Sequence, residues 1–462
     1  MSSFMMPYIS KRKINIIAHF ANDEDNTSRQ ETSPIVLSHS LYHYLKVLKD
    51  NIDDVQKDWN TYKRYTNPYE AIHTYSLGNG GQPVCSLKPI SRSFFKMIEI
   101  CNMFDLLKNM PEKMRSFHIA EGPGGFIEAL AGLRNNADDE YVGMTLISDD
   151  THVPGWRKSQ KFLNANPNVK IETSIDGTGD ITKYENLLFC SGKYGASMEL
   201  ITADGGFDFS TDYNTQENQV GELLVAQIAF ASAMQKKGGI FILKVFDIFT
   251  KLSVDVMYLL SIMYEKVHVV KPHTSRYANS ERYIVAQGFR AEDGRTEWTI
   301  QFAPIFEKMN QLSNTNQQTT NNTNTNNKTA TNIEIISILD KKEEIPKYYL
   351  NRVEECNASI GQQQMDTISN TLTLIKNPRQ DKIEKIKTSN IQKCVSWCQK
   401  HKLPYDKDVR NYNMFLSAKN KVSKLPKKIE EETGECLTNS EEMHIVTNVI
   451  NEILTNIEKQ IE

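Results

Sequence analysis

This sequence predicts an α/β fold of the Rossmann-like kind: a seven-stranded, mostly parallel sheet with helices on both faces, plus flanking helical regions. Three observations point there. Strand-length apolar runs alternate with helix-length amphipathic stretches from Arg115 to Phe289, the pattern of a parallel sheet wrapped by helices. The first run ends in a glycine-rich turn that opens a helix. Charged residues then stand just past later runs, where open sheets of this class gather their ligands.

The elements follow in order. Phe117-His118-Ile119-Ala120 is the first apolar run; it enters Glu121-Gly122-Pro123-Gly124-Gly125 and leaves into a helix over 126–131. Tyr141 to Ile147 reads as a second strand and Val169 to Ile175 as a third. Leu200-Ile201-Thr202-Ala203 leads into Asp204-Gly205-Gly206. A long amphipathic helix is expected from about Gln216 to Lys237, closed by Gly238-Gly239 as a helix C-terminus prefers. Ile240 to Leu243 is a buried strand, Leu252 to Val267 a helix, and His268-Val269-Val270 with Tyr283 to Ala286 close the sheet as an antiparallel hairpin pair.

At 462 residues the chain exceeds one ordinary domain, and its composition changes along its length. Residues 1–90 read as a mixed, partly helical extension, with helix-like spacing from Leu41 to Leu48. From Trp59 to Tyr75 aromatics interleave with Lys63 and Arg64; that composition suits a base-stacking platform or an aromatic face packed on the core. Residues 91–305 form the central α/β unit. The Asn/Thr-rich tract 306–332 cannot bury enough apolar surface to offset chain entropy and is expected to be a disordered linker. Residues 333–462 read as mainly helical, with helical spacing over 383–399 and 443–457. Lys419, Lys421, Lys424, Lys427 and Lys428 make a local basic cluster there, a phosphate track or a solvated loop.

Bulk properties exclude some classes. Apolar residues at 39%, charged residues at 24% and a net charge of −3 describe a soluble protein with no global basic footprint, so any nucleic acid must use local patches. Seven scattered cysteines suggest a reducing compartment. No leader-like start and no membrane-length apolar stretch are visible, so an intracellular, soluble protein is expected. Cys394, Cys398 and His401 could share a metal on one helix face, but no second Cys/His pair lies nearby, and helix packing is the simpler reading.

The candidate site combines two parts. Gly122, Pro123, Gly124, Gly125 and Phe126 form a turn whose backbone amides suit a small ligand. Ile127 stands where the dinucleotide fingerprint needs its third glycine, which tells against a nicotinamide oxidoreductase. Asp180 follows the third strand, placed to accept from an adenine amino group or to cap a helix; Asp149 and Asp150 are weaker candidates for a ribose hydroxyl. The second part is four charged residues. Asp204 and Lys244 each follow an apolar run, Glu281 opens the last strand, and Lys96 lies on a helix before the first one. A lysine in an apolar run is costly unless paired or neutral. Taken together, two lysines and two acids beside such a turn suit removal of a proton from a sugar hydroxyl.

The set resembles the FtsJ-type (RrmJ-like) ribose 2′-O-methyltransferases, most closely the Adrift-type branch that includes the cap-1 mRNA methyltransferases. The residues that carry the likeness are Ser93-Phe94-Phe95-Lys96-Met97, Glu121-Gly122-Pro123-Gly124-Gly125-Phe126, Gly177-Thr178-Gly179-Asp180-Ile181, Ala203-Asp204-Gly205-Gly206-Phe207, Lys244-Val245-Phe246-Asp247 and Lys271-Pro272-His273-Thr274-Ser275-Arg276 through Asn279-Ser280-Glu281-Arg282-Tyr283. The resemblance implies a Rossmann-like methyltransferase fold and S-adenosyl-L-methionine held by the turn, Asp180 and Asp204. It further implies a catalytic tetrad of Lys96, Asp204, Lys244 and Glu281, within which Lys244 is expected on chemical grounds to be the general base. RNA, above all capped mRNA, would be the substrate, and the C-terminal region could recruit capping or transcription machinery. Ribosomal or transfer RNA is the rival substrate, and a non-catalytic scaffold the rival class. The Lys-, Ile- and Asn-rich composition resembles proteins of large cytoplasmic DNA viruses, which would place the chain in a virion and host cytoplasm.

Overall fold

The computed structural model describes residues 2–21, 34–74, 83–150, 153–206, 214, 216–292, 294–322 and 334–405. Two short strands come first, β1 (Ser2–Met5) and β2 (Ile16–Phe20), then helices α1 (His39–Asp50), α2 (Gln56–Thr66) and α3 (Ser93–Phe104). The alternating region follows: β3 (Arg115–Ile119), α4 (Gly125–Arg134), β4 (Glu140–Met144), α5 (Gln160–Ala165), β5 (Val169–Glu172), α6 (Tyr184–Tyr194), β6 (Met198–Ala203), α7 (Gln216–Gln219), α8 (Gly221–Met234) and β7 (Gln235–Val245). The chain continues through α9 (Lys251–Met263), β8 (Tyr264–Lys271), β9 (Arg282–Phe289), α10 (Gly294–Asn322), β10 (Ile335–Leu339), α11 (Lys347–Lys376) and α12 (Gln380–Lys400).

The main sheet runs β1-β8-β9-β7-β6-β3-β4-β5. Its β5-β4-β3-β6-β7 portion is parallel, and β9, set between β7 and β8, is antiparallel to both. Alternate side chains feed two helical layers, as a pleated sheet requires. Phe117, Ile119, Ile201, Phe241 and Leu243 pack with α8, α9 and α10. Tyr141, Leu200, Ile242, Tyr283 and Val285 pack with α3, α4 and the Cys394–Trp397–Cys398 face of α12.

Several expectations are corrected. Among the described residues the sheet has eight strands rather than seven, because β1 pairs antiparallel with β8 (Phe4 opposite Val269), a four-residue contact with no periodic signature of its own. The helix expected to reach Lys237 ends at Met234. Pairing of Gln235 with Met198, reinforced by Gln235 Nε2 donating to Met198 O at 3.0 Å, draws that segment into β7. Likewise α9 stops at Met263, and β4 and β5 stop at Met144 and Glu172. The tract expected to be disordered from 306 begins inside α10, which runs to Asn322. Trp298, Phe302, Ile305, Phe306 and Met309 anchor its first half in the core, and an established helix adds one hydrogen bond per residue as it extends. Residues 333–462 open with a strand, β10, paired with β2. Helix α12 matches the spacing over 383–399, whereas the second helix expected over 443–457 and the lysine cluster of 419–428 lie outside the described residues. Trp59 is buried against Ile52, Ile368 and Leu372, so that aromatic serves packing.

Candidate active site

Strand order reverses between β3 and β6, so the loops after these strands diverge and leave a crevice at their carboxyl ends. Asp204 is the first residue past β6, and its amide donates to Ile119 O at 3.2 Å, which sets the acid beside the glycine-rich turn. Lys244 lies on β7 directly opposite Tyr283 of β9. Glu281 immediately precedes β9, and Lys96 projects from the first turn of α3.

These four side chains meet, joined by a fifth. Lys96 Nζ lies 2.7 Å from Glu281 Oε1, 2.8 Å from Oε2, and donates to the Tyr283 hydroxyl at 3.2 Å. That hydroxyl donates to Asp204 Oδ1 at 2.9 Å. Lys244 Nζ donates to Asp204 O at 2.5 Å and lies 3.3 Å from Oδ1. Tyr283 therefore links two ion pairs into one network. Burial, then Asp204 and Glu281, push its phenol well above the ordinary range, so it stays a donor. Burial would raise the Glu281 carboxyl too, but the ammonium groups of Lys96, Lys244 and Lys271 prevail and hold it well below the usual carboxylate range. Ser275 Oγ donates to Glu281 Oε1 at 2.8 Å, and the buried Lys271 donates to Glu281 O at 2.5 Å.

Sequence reasoning missed Tyr283, Ser275 and Lys271. A signal for Tyr283 existed: it stands two residues after Glu281 in an extended segment, so both side chains share a face. Lys271 reaches the site from the last position of β8 and Ser275 from the loop that follows; both stand in the motif quoted above, but no periodicity assigns them a role.

The turn departs from its expected role. Gly124 adopts φ 107°, and a Cβ there would lie 3.2 Å from the Trp156 ring. At Gly122 a Cβ would come within 2.8 Å of Pro154 O, so that glycine makes room for protein as much as for any ligand. The leading amides of α4, at Phe126 and Ile127, are taken by the Glu121 carboxylate at 2.7 and 3.3 Å. The carboxylate of a small ligand placed at that helix start would find the position filled. Burial, then Asp204, push the Glu121 carboxyl well above its ordinary range. Asp180 closes a turn, accepting from Thr182 N at 2.9 Å and Thr182 Oγ1 at 2.7 Å; α6 begins later, at Tyr184. Asp149 and Asp150 are exposed.

Beside these loops the protein leaves apolar surface open. Leu146, Ile147 and Ile175 are 43%, 48% and 65% exposed in the loops after β4 and β5, which Ile147 N bridges to Thr178 O at 2.7 Å. Open aliphatic surface near Asp180 fits a flat purine ring. The residues present thus fit an adenosyl group, with the carboxylate site at α4 excepted.

On the Lys96 flank, Lys63, Arg92 and Arg276 converge. Arg276 forks onto Glu70 at 2.9 and 2.6 Å. Burial, then Arg276 and Arg92, bring the Lys63 ammonium down to about 8. Burial likewise brings His73 down to about 4, leaving it neutral near pH 7. Three cations against one carboxylate make this flank positive. Elsewhere, Cys394 and Cys398 are buried in α12 and His401 Nδ1 bonds Asn102 Nδ2 at 3.1 Å; the described residues contain no metal-binding cluster.

A doubly wound sheet with an antiparallel β9, a crevice at its switch point and a glycine-rich turn after β3 define the Rossmann-like methyltransferase fold. Residues 89–289 match the family model described as FtsJ-like methyltransferase. The chain is 31% identical over 306 residues to the cap-specific mRNA (nucleoside-2′-O-)-methyltransferase 1 of Danio rerio, covering 61% of this chain and 34% of that protein. To the Homo sapiens protein of the same name it is 32% identical over 261 residues, 54% of this chain and 30% of that one. A Caenorhabditis briggsae protein named inactive cap-specific mRNA (nucleoside-2′-O-)-methyltransferase 1B is 29% identical over 284 residues, 57% of this chain and 33% of that one. The match spans about a third of the length of these relatives. Because a protein named inactive is nearly as similar as the others, overall identity does not decide activity; the side chains in the crevice must. Among the described residues no helix is long and apolar enough to cross a membrane.

Proposed function

We propose that this protein is an S-adenosyl-L-methionine-dependent RNA ribose 2′-O-methyltransferase acting on the first transcribed nucleotide of capped mRNA. The observation that carries this reading is the continuous network of Lys96, Glu281, Tyr283, Asp204 and Lys244 beside the turn after β3. The positive flank of Lys63, Arg92 and Arg276 supports an anionic substrate.

S-adenosylmethionine supplies a methyl group on a sulfonium whose leaving group is neutral. The chain must then position the ribose and accept a proton from a poor nucleophile. Lys244 accepts the 2′-hydroxyl proton in its neutral amine form, its own ammonium proton having first been lost to solvent. Of the two lysines it is the less tightly paired, with one carboxylate contact at 3.3 Å, whereas Lys96 contacts both oxygens of Glu281. Asp204 and Tyr283 orient Lys244, and Lys96 stabilises charge growing on the ribose oxygen. The turn at Gly122–Phe126, Asp180 and the Leu146–Ile147 edge hold the adenosyl end.

The compositional likeness to large DNA viruses would place this activity in a virion and host cytoplasm, with capping or transcription partners bound through the C-terminal region. The relative named inactive favours a second reading, a scaffold with a methyltransferase-like domain. Comparing methyl transfer to cap-0 RNA and to the same RNA uncapped separates the readings. Preference for the capped RNA is the expected result. Equal transfer would favour ribosomal or transfer RNA as substrate, and none to either would favour the scaffold.

A further inference from the structure

We infer that α11, which lies outside the matched segment 89–289, positions the Glu281-bearing loop, with Asn357 and Gln364 as its positioning residues. Arg282, the residue after Glu281, is fully buried. Its Nη2 donates to Asp247 Oδ1 at 2.9 Å, its Nη1 to Asn357 Oδ1 at 3.0 Å, and its Nε to Ser280 O at 3.3 Å. Asn357, also fully buried, donates from Nδ2 to Ile248 O at 2.6 Å. One amide on α11 therefore holds the start of β9 and the segment just past β7. Those are the two chain segments that deliver Glu281 and Lys244. Lys49 of α1 completes the cluster, 3.1 Å from Asp247 Oδ2.

A second contact lies two turns along the same helix face. Gln364 Nε2 donates to Ala278 O at 3.3 Å, in the loop that ends at Glu281. Beyond it, Thr371 Oγ1 meets Thr66 Oγ1 at 2.6 Å, and Ile368 and Leu372 pack on Ile52 and Trp59, so the helix is seated along its length. A buried guanidinium deprived of one acceptor is strongly penalised, and the loop can relieve that penalty only by moving. Because a shift of about 1 Å can cost on the order of a hundredfold in rate, a brace at this distance acts on the reaction without touching it.

The kinetic part of this inference rests on the methyltransferase reading; the mechanical part does not. The test uses the full chain as wild type, Asn357→Ser and Gln364→Met. It follows hydrogen exchange of residues 276–283, thermal unfolding, and kcat on capped RNA with KM for the methyl donor. For Asn357→Ser, exchange over 276–283 should quicken about tenfold and kcat fall about tenfold with KM for the methyl donor unchanged. Gln364→Met, a milder change that keeps the side chain's bulk, should move both in the same direction by about threefold and covers the case in which Asn357→Ser does not fold. Unchanged exchange in the folded variants overturns the inference, as does unchanged kcat in them when the wild type is active. A wild type without transfer activity instead defeats the methyltransferase reading, while the exchange data still decide whether α11 holds the loop.

Discussion

The two halves of the crevice are built differently. On the β3–β4–β5 side, the side-chain hydrogen bonds of the turn and of Asp180 are local: Glu121 serves Phe126, and Asp180 serves Thr182. On the β6–β7–β9 side, the contacts that join the charged groups cross the chain. Lys96 reaches Glu281 across 185 positions, Tyr283 reaches Asp204 across 79, and Arg282 reaches Asn357 across 75. The local half is open and shaped to admit a ligand. The long-range half is buried and shaped to fix charges. A site that exchanges one molecule while holding proton-transfer groups still needs both kinds of construction.

The largest effect should come from the long-range half. Lys244→Ala should lower methyl transfer by roughly 10²–10⁴-fold, the usual range for losing a general base, while donor affinity changes only a few-fold. Transfer rates set beside calorimetric affinities would check this, and near-normal turnover would remove Lys244 as proton acceptor.

Glu70→Gln comes next and is read in stability. Burial raises the Glu70 carboxyl, but Arg276 outweighs it and brings it down to about 2, from an ordinary 4.5. The folded value lies below the unfolded one, so the pair's stabilisation is fully present above pH 4.5 and is lost as pH falls towards 2. The variant should lose about 3 kcal/mol at pH 7, and the gap from wild type should narrow by pH 3. Denaturant midpoints at the two pH values measure it; a gap of equal size at both would contradict the ion-pair account.

Gly124→Val probes the local half. A β-branched residue at φ 107°, with its Cβ 3.2 Å from Trp156, must distort the turn. Donor affinity should weaken by about thirtyfold with Lys96, Tyr283 and Lys244 left in place. Calorimetry giving wild-type affinity would detach the turn from the cofactor.

Tyr283→Phe should produce the smallest change. Removing one hydroxyl deprives Asp204 and Lys96 of a shared partner, lowering kcat about tenfold with donor affinity intact. A loss of affinity in place of rate would blur the division between the halves.

The same division explains what the sequence made legible. The strand–turn–helix at 117–131 and the positions of Asp204 and Lys244 past their strands are local signals, and periodicity with turn chemistry reveals them. Glu121 was visible in its motif, yet its hold on the α4 amides depends on a turn geometry that the letters do not encode. Tyr283 as a bridge, Asn357 as a brace and β1 as an eighth strand depend on register between distant segments, about which a single sequence is silent. The end of α8 at Met234 and the run of α10 to Asn322 were misjudged for a related reason: pairing with β6 and anchoring in the core overrode local preference.

The most direct test of the central claim is mass spectrometry of short cap-0 transcripts incubated with isotopically labelled S-adenosylmethionine and either wild-type protein or Lys244→Ala. The account predicts one labelled methyl group on the 2′-oxygen of the first transcribed nucleotide with wild type, and almost none with the variant. Label on a base, label elsewhere in the RNA, or equal labelling by both proteins would contradict it.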